Sequence, residues 1–152
     1  MDLSYEKYMA LALSEAKKAG QMGEVPIGAI LVSENGTILS ATHNRTIALA
    51  DPTAHAEILA LREAARKINN YRLLNTALYV TVEPCIMCMG AIVQARISRV
   101  VFGASDPKWG AAGSLYNYAE DDRLNHRLEI TKGVCEQDCR TLMQDFFHAK
   151  RD

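Results

Sequence analysis

The chain has no long apolar run, no internal repeat, no low-complexity tract, no Pro/Gly/Ser-rich linker and almost no net charge. Each absence removes a class of protein. No segment approaches the ~20 consecutive apolar residues needed to span a bilayer, so no membrane role is expected. Met1 to Glu6 place no basic segment ahead of an apolar one, so secretion is not expected and the expected location is the cytoplasm. With 17 basic and 18 acidic residues the formal charge is −1. That balance argues against nucleic-acid binding by overall charge, and leaves room only for a local basic patch. At 152 residues, 49% hydrophobic and 23% charged, the chain suits one domain, residues 1–152, with one well-filled core. Cysteine is scarce as well. Cys85, Cys88, Cys135 and Cys139 are the four, and in a reducing compartment they read as metal ligands or buried thiols rather than disulfides.

What is present is periodic. Apolar residues recur at helical spacing from Ser4 to Ala19 (Tyr5, Tyr8, Met9, Ala12, Leu13, Ala16), and Gly20 stops the run. Ile27 to Val32 predicts a strand, Asn35-Gly36 a hairpin turn and Thr37 to Thr42 the returning strand. Asp51-Pro52-Thr53 predicts a helix start, with the helix running to about Ile68. Ala77 to Val82 reads as a buried strand. Pro84 predicts another helix start, continued from Cys85 to Ala95. Ile97 to Phe102 is a further strand, followed by a Gly/Ala-rich connection to about Tyr116, a short strand from Arg127 to Thr131 and a last helix from Glu136 to Ala149. Helices alternating with strands after an opening hairpin imply a mixed sheet covered by helices on both faces.

The chemistry concentrates at two helix starts. His55-Ala56-Glu57 opens one, and Pro84-Cys85-Ile86-Met87-Cys88 the other. Cysteines at i and i+3 share a helical face and reach one ion together. A helix N-terminus also favours the thiolate form that zinc requires. With His55 the protein ligands number three. Structural zinc sites are closed by four protein ligands, whereas catalytic ones keep a position for water, so three implies catalysis. Glu57 is then the expected acid/base. One geometric condition attaches: residues at i and i+2 of a regular helix diverge, so His55 must sit at the cap if both are to face one pocket. Taken alone, a Cys-x-x-Cys pair also fits a redox couple or two buried thiols, and a lone His-x-Glu fits capping plus a surface acid.

The combined His-x-Glu and Pro-Cys-x-x-Cys pattern resembles the cytidine deaminase superfamily, whose mechanism is known. Within it the sequence is similar to the bacterial tRNA-specific adenosine deaminases over nearly its whole length. The likeness runs through Glu24 to Ala29, His43 to Arg45, Asp51 to Glu57, Leu78 to Thr81, Glu83 to Cys85, Val101 to Ala104, Gly110 to Ser114, Asn125 to Arg127 and Asp145 to Phe147. The resemblance implies a three-layer α/β/α sandwich around a five-stranded mixed sheet, one zinc ion per subunit and a homodimer. It further implies hydrolysis of adenosine to inosine at the wobble position of a tRNA anticodon stem-loop. Carried onto this chain, it gives Glu57 as the proton carrier, and His55, Cys85 and Cys88 as ligands. It gives Asn44 to the purine edge, the Ala56 backbone and Ile27 to the pocket wall, and Asp106 to the substrate. Ser105 departs from the pattern, since a basic residue is expected there, and the tail offers only Lys150 and Arg151 as a basic pair.

Further candidates carry plain readings beside functional ones. Arg123, His126, Arg127, His148, Lys150 and Arg151 compose a possible RNA-facing patch, yet each alone fits a solvated surface residue. Tyr116, Tyr118, Phe146 and Phe147 suit stacking on unpaired bases, yet also core packing. Asp106 fits a turn cap before Pro107 as well as a substrate contact. Cys135 and Cys139 fit core or surface thiols, having no histidine at ligand spacing. Two rival functions remain open: a deaminase of a free base or nucleoside (guanine, cytidine or deoxycytidylate), and a non-catalytic zinc-stabilised RNA-binding subunit.

Overall fold

The structure is a computed structural model that describes residues 3–151, with side chains for residues 4–150. Its elements are α1 (Leu3–Gln21), β1 (Gly28–Val32), β2 (Ile38–His43), α2 (Ala56–Ile68), β3 (Ala77–Val82), α3 (Ile86–Gln94), β4 (Arg99–Ala104), β5 (Glu129–Thr131) and α4 (Glu136–Arg151). One five-stranded sheet, in the order β2-β1-β3-β4-β5, joins all strands. The hairpin pairs β1 with β2 antiparallel, and β1 also runs antiparallel to β3. The β3–β4 and β4–β5 pairs are parallel, the first connected through α3.

Side-chain alternation along each strand divides the interior in two. Leu31, Leu78, Val80, Val100 and Phe102 point toward α2 and α3, packing with Leu61, Met89 and Ile92. Ile30, Val32, Tyr79 and Val101 point the other way, toward Met9, Ala12 and Leu13 of α1 and Cys139 of α4. This is a three-layer α/β/α sandwich with a mixed five-stranded sheet. Because β3 and β4 are covered on both faces, their sequences run apolar without alternation. Close approach explains one glycine: a Cβ on Gly28 would overlap the backbone of α1 at Ala12 and Ala16. Cys139 is buried against Gly103 on the far side of the sheet, and all four cysteines are free.

Several element starts differ from the sequence expectation, the following among them. Residues 51–53 form a turn, not a helix start: Asp51 Oδ1 accepts the Thr53 N–H at 2.8 Å and its hydroxyl at 2.7 Å. An Asx turn of this kind competes with helix for the same backbone, and α2 waits until Ala56. Pro84 lies one residue before the N-cap of α3, and Cys85 is the cap itself, in extended conformation. Ile97 is buried in the approach to β4, which begins at Arg99 where pairing with Ala77 begins.

Candidate active site

The carboxyl ends of β3 and β4 and the N-termini of α2 and α3 meet at one place, where open α/β sheets form their crevices. Position is set by the caps. His55 is the N-cap of α2 with φ −71° and ψ 153°, so its ring leaves the helix axis while Glu57 rides on the first turn. The i, i+2 divergence is thereby resolved. Cys85 caps α3, also extended, and Cys88 follows in its first turn. Both helix N-termini turn their partial positive charge toward the cysteines.

Residues thirty apart in sequence converge. His55 Nδ1 lies 3.6 Å from Cys85 Sγ and 3.5 Å from Cys88 Sγ, and the three ligand atoms lie within 4.8 Å of one another. Zinc bonds of about 2.3 Å to sulfur and about 2.0–2.1 Å to nitrogen, at a tetrahedral angle, separate S from N by about 3.5–3.6 Å. The donor set and its spacing fit zinc. The two thiols share a hydrogen bond that shifts them in opposite directions. Cys85 is held down to about 4 by its hydrogen bond with Cys88 and its contact with His55, and Cys88 is pushed far up by the same bond and by burial. His55 is raised by its contact with Cys85.

Glu57 stands beside this trio, 3% exposed. Burial pushes its carboxyl up to about 7, and its Oε1 has no hydrogen-bond partner. A buried oxygen left unpaired costs about 1–3 kcal/mol, so the group awaits a ligand. Glu57, His55 and Cys85 form the floor of a cavity of about 1080 Å³. Asn44 and Ile27 line it too, with Asp106, Lys108 and Trp109 on one wall and Phe147 and His148 of α4 on another.

The comparisons with known proteins follow this geometry. The model of the cytidine and deoxycytidylate deaminase zinc-binding region matches residues 3–104. A tRNA-specific adenosine deaminase of Haemophilus influenzae is 51% identical over 97% of this chain and 85% of its own. The chain belongs to the tRNA-specific adenosine deaminase family. Its relative from Bacillus subtilis, of the same name, is 47% identical over 96% of this chain and 90% of its own. A solved structure described in terms of A-to-I editing by tRNA:A34 deaminases at the wobble position superposes with a TM-score of 0.86. It is 43% identical and covers 90% of this chain and 98% of the other. Zinc is the cofactor of this family's catalytic region, and the His55-Cys85-Cys88 group fits it.

The remaining candidates fall in several places. Asn44 is buried, its Oδ1 accepting the Ala56 N–H at 2.7 Å. The Ala56 carbonyl accepts from the Thr42 hydroxyl at 2.7 Å, so both backbone groups of Ala56 have protein partners and the residue lies beneath the pocket. Asp106 reaches the cavity wall, and its Oδ1 accepts the N–H groups of Lys108 at 3.1 Å and Trp109 at 3.2 Å. Of the RNA-patch residues, Phe147 and His148 line the cavity. Arg123 pairs with Asp121 at 2.7 Å and Arg127 with Asp122. His126 Nε2 donates to the Ile97 carbonyl at 2.8 Å, a tie between its loop and the approach to β4. Lys150 lies over the Phe146 ring, and the Arg151 side chain is outside the described residues.

Two acids carry structural weight that sequence spacing does not announce. Buried Glu83 accepts from the backbone N–H groups of Asp106, Ala112 and Ser114, each at 3.0 Å, and from the Ser114 hydroxyl. It ties the connection after β4 to the strand leading into Pro84-Cys85. Buried Glu24 accepts from Ile47 at 3.1 Å, Ala48 at 2.8 Å and the Thr46 hydroxyl at 3.3 Å, holding the loop beyond Asn44. The usable signal was an acid within two residues of a proline, with no basic neighbour to pair it.

Proposed function

We propose that the protein hydrolyses adenosine to inosine at the wobble position of a tRNA anticodon stem-loop, releasing ammonia. On this reading residues 1–152 act as one deaminase domain, in the cytoplasm and as a homodimer. The observation that carries it is Glu57: a buried carboxyl near neutrality, with an unpaired oxygen, beside three zinc-type ligands at the bottom of an open cavity. The names of relatives up to 51% identical supply the substrate class. A purely structural zinc site would need a fourth protein ligand, and among the described residues the ligand group has three.

His55, Cys85 and Cys88 hold the zinc ion. When bound it supplies Lewis acidity, making water a nucleophile near pH 7. Glu57 takes the proton that water loses as its oxygen adds to C6 of the purine, and delivers it to the adjacent ring nitrogen. The carboxylate so regenerated takes the second proton from the new C6 hydroxyl as the C6=O bond forms, and passes it to the amino group as the C6–N bond breaks and ammonia departs. A carboxyl near neutrality accepts and returns a proton with little free-energy cost in either direction. Asn44, whose oxygen is committed to Ala56, keeps its NH₂ for an acceptor on the purine edge. Ile27 bounds the base pocket, and Asp106 shapes the wall that carries Trp109.

The test compares ammonia and inosine formation from an anticodon stem-loop bearing a wobble adenosine with free adenosine, guanine and cytidine. Strong preference for the stem-loop is expected. Equal or faster turnover of a free base would overturn the tRNA reading while leaving the zinc chemistry in place. Sedimentation at equilibrium reports the dimer, and a monomer at assay concentration would remove that part.

A further inference from the structure

The connection after β4 carries the only tryptophan of the chain. Trp109 is 66% exposed, at the mouth of the active-site cavity. An indole is a large apolar surface to leave in water. Among the described residues it stacks on no other ring. Its backbone is held on both sides. The Asp106 carboxylate accepts the N–H groups of Lys108 and Trp109, and the Asp106 carbonyl accepts the Gly110 N–H at 2.8 Å. Ala111 donates to the Pro84 carbonyl at 2.8 Å, and Glu83 clamps Asp106, Ala112 and Ser114. A Cβ on Gly110 would overlap the Glu83 carboxylate, so this loop seats only with glycine after Trp109. The ring is therefore presented by a fixed scaffold that keeps it out of the core.

The space it faces exceeds the needs of one nucleoside. Pockets that bury drug-sized ligands measure about 300–1,000 Å³, and this cavity measures about 1080 Å³. With the target base on the floor beside Glu57, the volume toward the rim remains open to a neighbouring residue of the same strand. That rim is aromatic and basic: Trp109 and Lys108 on one wall, with Phe147 and His148 on α4, where Arg140 is also paired with Glu136 at 2.8 Å. Flat rings combined with cationic side chains are the chemistry that holds unpaired bases and their phosphates.

We propose that Trp109 is a stacking platform for the base of a nucleotide adjacent to the target adenosine. It thereby favours an unpaired RNA loop over a free nucleoside. The inference rests on the RNA-deaminase reading and assigns to this residue a part in its selectivity. Sequence preference at the stacked position is weak, because every base offers a ring face.

The single tryptophan makes the test direct. Zinc-loaded Glu57→Gln protein, unable to turn over, is titrated with the anticodon stem-loop while indole fluorescence is followed. Saturable quenching is expected, and it disappears when the neighbour of the target adenosine is made abasic. In otherwise wild-type protein, Trp109→Ala raises KM for the stem-loop by about 5- to 150-fold, the range for loss of one stacked base. Trp109→Phe restores most of the loss. Combined with the abasic loop, Trp109→Ala adds no further loss. Zinc content and melting temperature of both variants match wild type, which separates lost stacking from lost structure. A loop that is bound and deaminated without quenching, or an unchanged KM in Trp109→Ala, overturns the proposal alone. So does weakened self-association of Trp109→Ala at unchanged KM, which assigns the ring to a subunit contact. A wild-type protein that ignores the loop and turns over a free base overturns both the proposal and the reading beneath it.

Discussion

Glu57 shows how one position combines fold and chemistry. Its place in the first turn of α2 puts the carboxyl beside His55, and burial, with the charge of Cys85 adding to it, lifts its pKa to about 7. Replacing it by Gln keeps size and burial but ends proton transfer, so kcat is expected to fall by at least about 10²–10⁴-fold. Zinc per subunit, measured by metal analysis of the purified variant, stays at the wild-type level. Metal lost in proportion to activity would instead make Glu57 part of the binding site. Glu24 is the contrasting acid. Burial raises its pKa, but hydrogen bonds from Ala48, Ile47 and Thr46 outweigh this and hold it below 4.5. A carboxyl depressed in the folded state contributes stability at pH values above its unfolded pKa, and that contribution is lost as pH falls through the folded value. Wild type is therefore expected to lose stability on acidification below about pH 4.5 more steeply than Glu24→Gln. Urea midpoints at pH 7 and pH 4 measure this, and parallel losses would deny Glu24 the role.

Among elements, the caps and one loop decide the site. Had α2 begun at Asp51, His55 and Glu57 would both lie on a regular helix and point apart. The Asx turn at Asp51 delays the helix and makes His55 a cap. The connection from Ser105 to Ser114 has little regular structure of its own, and its shape comes from Glu83. In Glu83→Gln one oxygen becomes an NH₂ group facing N–H donors, leaving buried donors unpaired. A destabilisation of about 1–3 kcal/mol is expected, together with a rise in KM as the Asp106–Trp109 wall loosens. Chemical denaturation and steady-state kinetics read the two effects, and an unchanged KM would uncouple this wall from substrate.

For the molecule as a whole, the metal joins two layers of sequence that the sheet only brings near. A ligand bound to the folded state alone, at 1,000 times its Kd, adds about 4 kcal/mol of stability. Zinc removal by a chelator is expected to abolish activity and lower the melting temperature, and added zinc to restore both. A chelated protein that melts as before would mean that the sheet, with its two core clusters, positions His55, Cys85 and Cys88 unaided. No described helix is long and apolar enough to cross a membrane. On the proposed function, the near-neutral charge shifts the burden of RNA recognition from bulk electrostatics to the cavity rim.

Local chemistry in the sequence was sufficient for element types and for singling out His55, Cys85 and Cys88, which the fold brings together. Apolar periodicity, the Asn35-Gly36 turn, and cysteines three residues apart behind a proline are all short-range signals that hold wherever the segment sits. The fold class followed from their order. Tertiary structure alone decided where helices begin, because the Asx turn at Asp51 and the caps at His55 and Cys85 depend on chain neighbours competing for hydrogen bonds. It left Arg123 and Arg127 on acids two and five residues away, and His126 on the Ile97 carbonyl, rather than in the cavity. It alone gave Glu83 its four donors, all more than 20 residues away, and left Trp109 in water at the cavity mouth. Burial and long-range pairing are properties of the packed chain, and no short window of sequence contains Glu83 together with its donors.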